Sequence, residues 1–442
     1  MQAIASFIAK LEYDSLPPEI IKDAKYRILD WLGSALAGVR YKPSHIVTQM
    51  AIEAGGVAQA TILQSGLKAP VAQAALVNGV IGHVAELDDG HRLAIAHPGA
   101  VTVPVALAVA ECFNKTGKEL LTAIVAGYEV LIRLGIAVNP AHYQIWHATG
   151  TCGTFAAAAT AASLLKLEPL KVQMALGIAG TMAAGLQASF GTHAKPLNAG
   201  HACQSGVQAA LLALHGFTGP GDIFCGDKGF IRATTTDYNG EILAEIGKSS
   251  LMTNTAFFKV YASCGHTNSP LTAMFRIIDR YDLPLDSIKQ VQIETYRTAV
   301  ELTAQLKYDT EEAAKFSLPY CIAAALVHKK VTLAEFSPDK LNDPVILGIA
   351  RRIQVIEDPE ATKVFPQRRA TVKVELANKQ VIVESVEAAD DTPRYDVLEN
   401  KFLSLTASSL DKQAAQQIKE MVLCMEKIDD LQVLMQHLRL KR

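Results

Sequence analysis

The sequence predicts a mainly α fold, with a large all-helical domain joined to a smaller α+β domain. Three observations carry the prediction. From Pro18 to about Ala213 apolar residues recur at helical spacing between caps and stops, after Pro270 the pattern turns to period-two alternation, and from Val397 helical periodicity returns. The expected boundaries are 1–260 with 398–442 for the helical domain and 261–397 for the α+β domain, which is an insertion between helical parts.

Within the helical part, Thr116-Gly-Lys-Glu119 has capping-box spacing ahead of LLTAIVAGYEVLIRLGIAV, and Glu168-Pro169 opens LKVQMALGIAGTMAAGLQ. Small residues dominate these faces, as in GTFAAAATAAS from Gly153 to Ser163, so the helices can approach closely. In the second part, Ile288 to Thr295, Ala350 to Glu357, Ala370 to Leu376 and Gln380 to Ser385 read as antiparallel strands, the last two flanking an Ala-Asn-Lys turn. Glu311 to His328 reads as a helix, and Thr332 to Phe336 as the start of another. The sequence contains no internal repeat, GxGxxG or Walker loop.

Composition narrows the function classes. The 442 residues are 50% hydrophobic and 19% charged, with a net charge of -2, and no basic stripe invites nucleic acid. Seven scattered cysteines without CxxC pairs read as reduced, intracellular thiols, and the N-terminus has no signal-peptide pattern, so a cytoplasmic location is expected. Val172 to His193 and Pro196 to Gly221 carry no Asp, Glu, Lys or Arg, yet Gly, Gln, Asn, His and Ser interrupt both. They are expected as buried helices rather than membrane spans.

Chemistry concentrates from His83 to His97, where three histidines (His83, His91, His97) and three carboxylates (Glu86, Asp88, Asp89) occupy fifteen residues before an alanine-rich helix. Ionisable groups at that density are paired or used when buried. A carboxylate-oriented imidazole for acid–base work is one reading, an Asp-capped helix end with solvated histidines another, and a metal site through His83 and Glu86 a third that lacks a second ligand set. His142 to His147 precede a Thr/Gly-rich turn, Ala148 to Thr154, whose free amides suit a carboxylate; an ordinary helix cap fits as well. Lys195 in GTHAKPLNAGHACQSG either binds an anion or snorkels. Lys259, Cys264 and His266 in FFKVYASCGHTNSP fall at the expected domain junction, Cys264 being a nucleophile, a proton donor or a buried thiol. Tyr320 in KFSLPYCIAAAL reads equally as a core tyrosine.

The order of these segments resembles the MmgE/PrpD family, whose members include 2-methylcitrate dehydratase, cis-aconitate decarboxylase and iminodisuccinate epimerase. AELDDGHRLAIAHPGAVTVPVALAVAE, WHATGTCGTFAAAATAA, GTHAKPLNAGHACQSGVQAALLAL, FFKVYASCGHTNSP and KFSLPYCIAAAL carry the resemblance. It implies an α+β lid on the helical domain, a homodimer, and a site between the domains with no cofactor and no metal. It further implies active-site histidines at His97 and His147, with Asp88 or Asp89 orienting an imidazole. Lys195 and Lys259 would hold substrate carboxylates, Tyr320 would give a hydrogen bond or proton, and His266 would act from the lid. The family's DFDD-type run stands here as Glu86-Leu87-Asp88-Asp89, which would set Glu86, its side chain longer by about one methylene, against the substrate. Its Phe-Pro-Ala-His arrangement is replaced by VYASCGH after Lys259, where Cys264 competes with His266.

The expected function is therefore a lyase acting beside a carboxylate of a small di- or tricarboxylate. An epimerase of a dicarboxylate such as iminodisuccinate is the alternative, and a non-catalytic carboxylate-binding dimer the third reading.

Overall fold

The computed structural model describes residues 1–63, 65–387 and 395–439. The chain divides into two compact units, one of Met1–Ser189, His193–Phe258 and Thr392–Arg442, the other of Phe190–Thr192 and Lys259–Asp391. The fold is mainly α with a little β.

The first unit is built from helices α1 (Pro18–Gly38), α2 (Val71–Val84), α3 (Pro98–Cys112), α4 (Gly117–Val138), α5 (Ala148–Leu164), α6 (Pro169–Met182) and α7 (Ala194–Leu214). The alanine-rich α5 sits at the centre, packed by α3, α4, α6 and α7. Its small side chains permit this crowding, since a β-carbon at Gly206 of α7 would strike Ala157 and the backbone of Ala158. Thr116 and Glu119 form the capping box expected at the start of α4. That helix is long and apolar enough to cross a membrane, but 94% of its apolar window is buried inside the protein, as a core helix requires. Pro104 lies inside α3 and has no N–H for the Ala100 carbonyl, which Cys203 Sγ faces instead at 3.7 Å. The Thr/Gly segment from Ala148 is not a turn, as the sequence suggested, but the first turns of α5 itself. The buried, close-packed helix holds these residues against their low helix propensity.

In the second unit, β1 (Ile288–Thr295), β2 (Ile353–Glu357), β3 (Ala370–Leu376) and β4 (Val381–Val386) form one sheet in the order β2-β1-β3-β4. The sequence reading made every pair antiparallel, and one is not: β1 and β2 run parallel, with Val291 opposite Ile353. A long helical connection separates them, which is the condition parallel pairing needs. The β2 strand also starts later than expected, because Ala350 ends a preceding helix, Pro344–Ala350. Helix α8 (Asn268–Arg280) packs on β3 and β4. The helix expected over Glu311 to His328 is interrupted after Ala314, and α9 (Leu318–His328) restarts where the Ser317 hydroxyl caps it and Pro319 fills its first turn.

The chain then returns to the first unit as α10 (Tyr395–Thr406) and α11 (Lys412–Leu423), both packed on α1. Residues 388–394 lie outside those described, and the expected boundary at 397–398 falls within α10.

Candidate active site

Helix α2 ends at Val84, and the chain turns through Glu86, whose φ of 58° is left-handed. A non-glycine residue in that region is strained by about 1–2 kcal/mol, and such strain marks places where a side chain is being aimed. Here the Glu86 carboxylate is aimed at the Lys195 ammonium in the first turn of α7, and the two form a short, buried ion pair. Both were expected to bind substrate; each already holds the other.

The two aspartates that follow do different work. Asp89 is tied down on every side: its carboxylate accepts from the Gly99 amide at 2.9 Å, from the Tyr128 hydroxyl at 2.7 Å and from Arg27 at 3.2 Å. Burial raises the pKa of Asp89, and Arg27, Tyr128 and Gly99 each pull it back. Arg27 is itself buried between Asp23 and Asp89 with its guanidinium over the Phe258 ring. Asp88 instead accepts from His83 Nδ1 at 2.8 Å, and the same carboxylate oxygen lies 3.7 Å from His97 Nδ1. So Asp88 orients an imidazole with its side chain, whereas Asp89 does so only through its backbone.

His97 and His147 each stand just ahead of a helix, α3 and α5 respectively. His97 Nδ1 lies 2.6 Å from the Asp89 carbonyl, and a carbonyl oxygen only accepts. Nδ1 therefore carries the proton, which puts the basic lone pair of a neutral His97 on Nε2. His147 is arranged the other way. Its Nδ1 lies 3.2 Å from the Asn198 side-chain nitrogen, which only donates, so the neutral ring carries its proton on Nε2. Burial and the neighbouring Lys195 hold His147 well below the usual histidine range, and it is neutral near pH 7. The site thus offers one imidazole poised to accept a proton and one poised to donate a hydrogen bond.

His91 and His142 are structural. The His91 amide closes the loop onto Ala96, its Nδ1 accepts from the Ala94 amide and its Nε2 meets Thr255 at 3.0 Å. His142 spans Thr151 and the Thr234 carbonyl, and burial lowers its pKa to about 4.

In the second unit Lys259, Cys264 and His266 are each buried along one segment, with His266 Nδ1 2.6 Å from the Tyr296 hydroxyl. The Cys264 amide donates to the Lys315 carbonyl. Tyr320 departs from its expected part: its hydroxyl donates to the Glu335 carbonyl at 2.5 Å, and burial raises its pKa. Its proton is committed to the fold, as for a core tyrosine. Among the described residues four buried cations escaped sequence reasoning: Arg27, Arg133, Lys315 and Arg368, the last donating to the Gly265 carbonyl. Only the position of Lys315 ahead of the Phe-Ser-Leu-Pro helix start hinted at one of them.

His83, Asp88 and His97 bring donor atoms within 4.8 Å of one another, a spacing that suits a cation. Both Nδ1 atoms that face Asp88, however, carry protons toward oxygen acceptors, so the group reads as a hydrogen-bonded relay rather than a ligand set.

Fold and site together define a class: a mainly helical protein with a cluster of histidines and carboxylates at the ends of its core helices. The chain belongs to the MmgE/PrpD family, matching the MmgE/PrpD N-terminal domain over residues 2–242 and the MmgE/PrpD C-terminal domain over residues 261–427. It is 26% identical to cis-aconitate decarboxylase of Aspergillus terreus, over 98% of this chain and 94% of that protein. The human cis-aconitate decarboxylase is similar at 26% identity, with 98% and 93% covered, and the Mus musculus protein at 25%, with 98% and 91% covered.

Proposed function

We propose that this protein is a cofactor-independent lyase acting at the carbon next to a carboxylate of a small di- or tricarboxylate, as a decarboxylase of cis-aconitate or a related dehydratase. The observation that carries the reading is a pair of histidines in complementary proton states, His97 half-buried and His147 buried, with the buried Lys195 beside His147. Breaking a bond next to a carboxylate builds negative charge on its oxygens, so the step needs a base, a hydrogen-bond donor and a cation. In a dehydration, neutral His97 takes the α-proton, the C–H electron pair forms the double bond as the C–O bond breaks, and protonated His97 passes that proton to the departing hydroxide, so that water leaves and the base is restored. In a decarboxylation, His97 starts protonated from solvent with Asp88 balancing its charge; carbon dioxide leaves, its electron pair moves through the adjacent double bond, and His97 gives its proton to the far carbon. His147 polarises a carboxylate through Nε2–H, as a neutral imidazole does elsewhere. Lys195 and Lys259 are assigned to the carboxylates, with Glu86 setting the direction of Lys195. The likeness to cis-aconitate decarboxylases over 98% of this chain supports this reading.

A homodimer in a reducing, cytoplasmic setting is proposed with it. Leu186, Leu197, Leu212 and Phe217, all in or next to the charge-free stretches, are exposed, and all seven cysteines are free thiols.

An epimerase is the second reading, favoured by two imidazoles able to exchange protons and by VYASCGH after Lys259. Proton NMR in D₂O with citrate-like acids, cis-aconitate and aspartate-derived dicarboxylates separates the two. Interconversion of alkene and hydroxy acid, or loss of carbon dioxide, is the expected result. Deuterium entering one α-position with inversion and no alkene would leave the epimerase. Silence on every acid, with one of them raising the melting temperature, would leave only a binding protein.

A further inference from the structure

His83 plays no part in the scheme above, yet it lies at its centre. The side chain is fully buried in the last turn of α2, and its ring centroid is 4.9 Å from that of His97 and 5.9 Å from that of His147. Its Nδ1 is 2.8 Å from Asp88 Oδ2, the oxygen that stands 3.7 Å from His97 Nδ1. A carboxylate only accepts, so His83 Nδ1–H is the donor. An anion buried this deeply is held by its donors; removing one favours protonation or rotation of the group.

We propose that His83 is a positioning residue for the chemistry of His97: it holds the Asp88 carboxylate, charged and in place, against the Nδ1 edge of His97. When His97 takes a proton at Nε2, the resulting imidazolium meets an anion already oriented by His83. This inference rests on the acid–base role assigned to His97. Other charged or titratable groups around the relay are Asp89 and Glu86 of the same loop, His147 ahead of α5, Lys195 on α7, and Tyr128 of α4 and Arg27 of α1, which both bind Asp89.

The test compares His83→Leu, which removes the donor, with His83→Asn, whose amide nitrogen occupies the place of Nδ1, and His83→Gln, whose amide reaches past it. The first readout needs no substrate: titration of His97 by ¹⁵N-histidine NMR in the full-length protein. His83→Leu and His83→Gln are expected to move the His97 midpoint down by about one pH unit, and His83→Asn to restore it. The second is turnover, where kcat is expected to fall about 10- to 100-fold in the Leu and Gln variants with KM within about twofold, and to recover in Asn. Adding His83→Leu to Asp88→Asn should bring no further loss. If His83→Leu does not fold, the Asn and Gln pair carries the comparison. An unmoved His97 midpoint, or an Asn variant no better than Gln, overturns the proposal. A wild-type protein silent toward every carboxylate would sink the lyase reading instead, and the titration would still decide the placement of Asp88.

Discussion

Glu86 and Lys195 are the residues on which site and stability meet. Each is about 95% buried at its side chain, and each is the other's counter-charge. Removing one partner of such a pair leaves an uncompensated charge and costs about 3–5 kcal/mol, whereas replacing both with neutral polar groups costs far less. Lys195→Ala is therefore expected to lower the urea midpoint strongly and to abolish turnover. The double variant Glu86→Gln/Lys195→Gln should regain most of the stability and none of the activity, as measured by denaturation followed by circular dichroism and by product formation. A double variant as unstable as the single one would mean that the pair's charge is not what destabilises Lys195→Ala. The left-handed backbone at Glu86 follows from the same pairing, since the strain persists only where the surroundings hold it.

At the scale of elements, the returning helix α10 reaches the acidic loop. Lys401 donates to Asp30 of α1 at 2.6 Å and to the Leu87 carbonyl at 2.7 Å, so one ammonium ties together α10, α1 and the turn that carries Glu86 and Asp88. Asp30 is buried, and desolvation outweighs the pull of Lys401, raising its pKa to about 6. A carboxyl whose folded pKa lies above its unfolded value contributes stability below about pH 4 and loses it as pH rises through about 6. Asp30→Asn keeps an oxygen for Lys401 and removes the titration. Its melting temperature relative to wild type should therefore rise between pH 4 and pH 7, by an amount equivalent to about 2–3 kcal/mol. A difference that stays flat across that window would show that Asp30 is ionised at no net cost.

At the scale of the molecule, the first unit is closed by the far end of the chain. Phe402, Ile418, Val422, Met425, Leu431 and Leu434 are all buried to within 1% in its core. At about 1.5–3 kcal/mol for each such side chain, these six together match the whole net stability of an ordinary domain, about 5–15 kcal/mol. A chain ending at residue 387 is thus expected to lose the cooperative melt of the helical unit and to become open to limited proteolysis throughout residues 1–258. Survival of a sharp transition in that truncation would refute the dependence.

Periodicity made the helices of the first unit legible, because 3.6-residue spacing and the Thr116 capping box are local signals that packing does not need to rewrite. Period-two alternation likewise located the strands, and the order of short motifs identified the family. Pairing direction was not legible: nothing within β1 or β2 records that a helical connection brings them side by side in parallel. The site followed the same division. Composition singled out His83 to His97 as the place for chemistry, since so many ionisable groups in one stretch must be paired or used. Which aspartate faces which imidazole, which nitrogen holds the proton, and that Tyr320 gives its own to Glu335 were decided only by tertiary structure. Those outcomes depend on groups distant in sequence, Arg27, Tyr128, Lys195 and Asn198, arriving within hydrogen-bond or ion-pair reach of one loop or histidine. Spacing along a chain carries no record of that reach, because it is set by how whole helices pack.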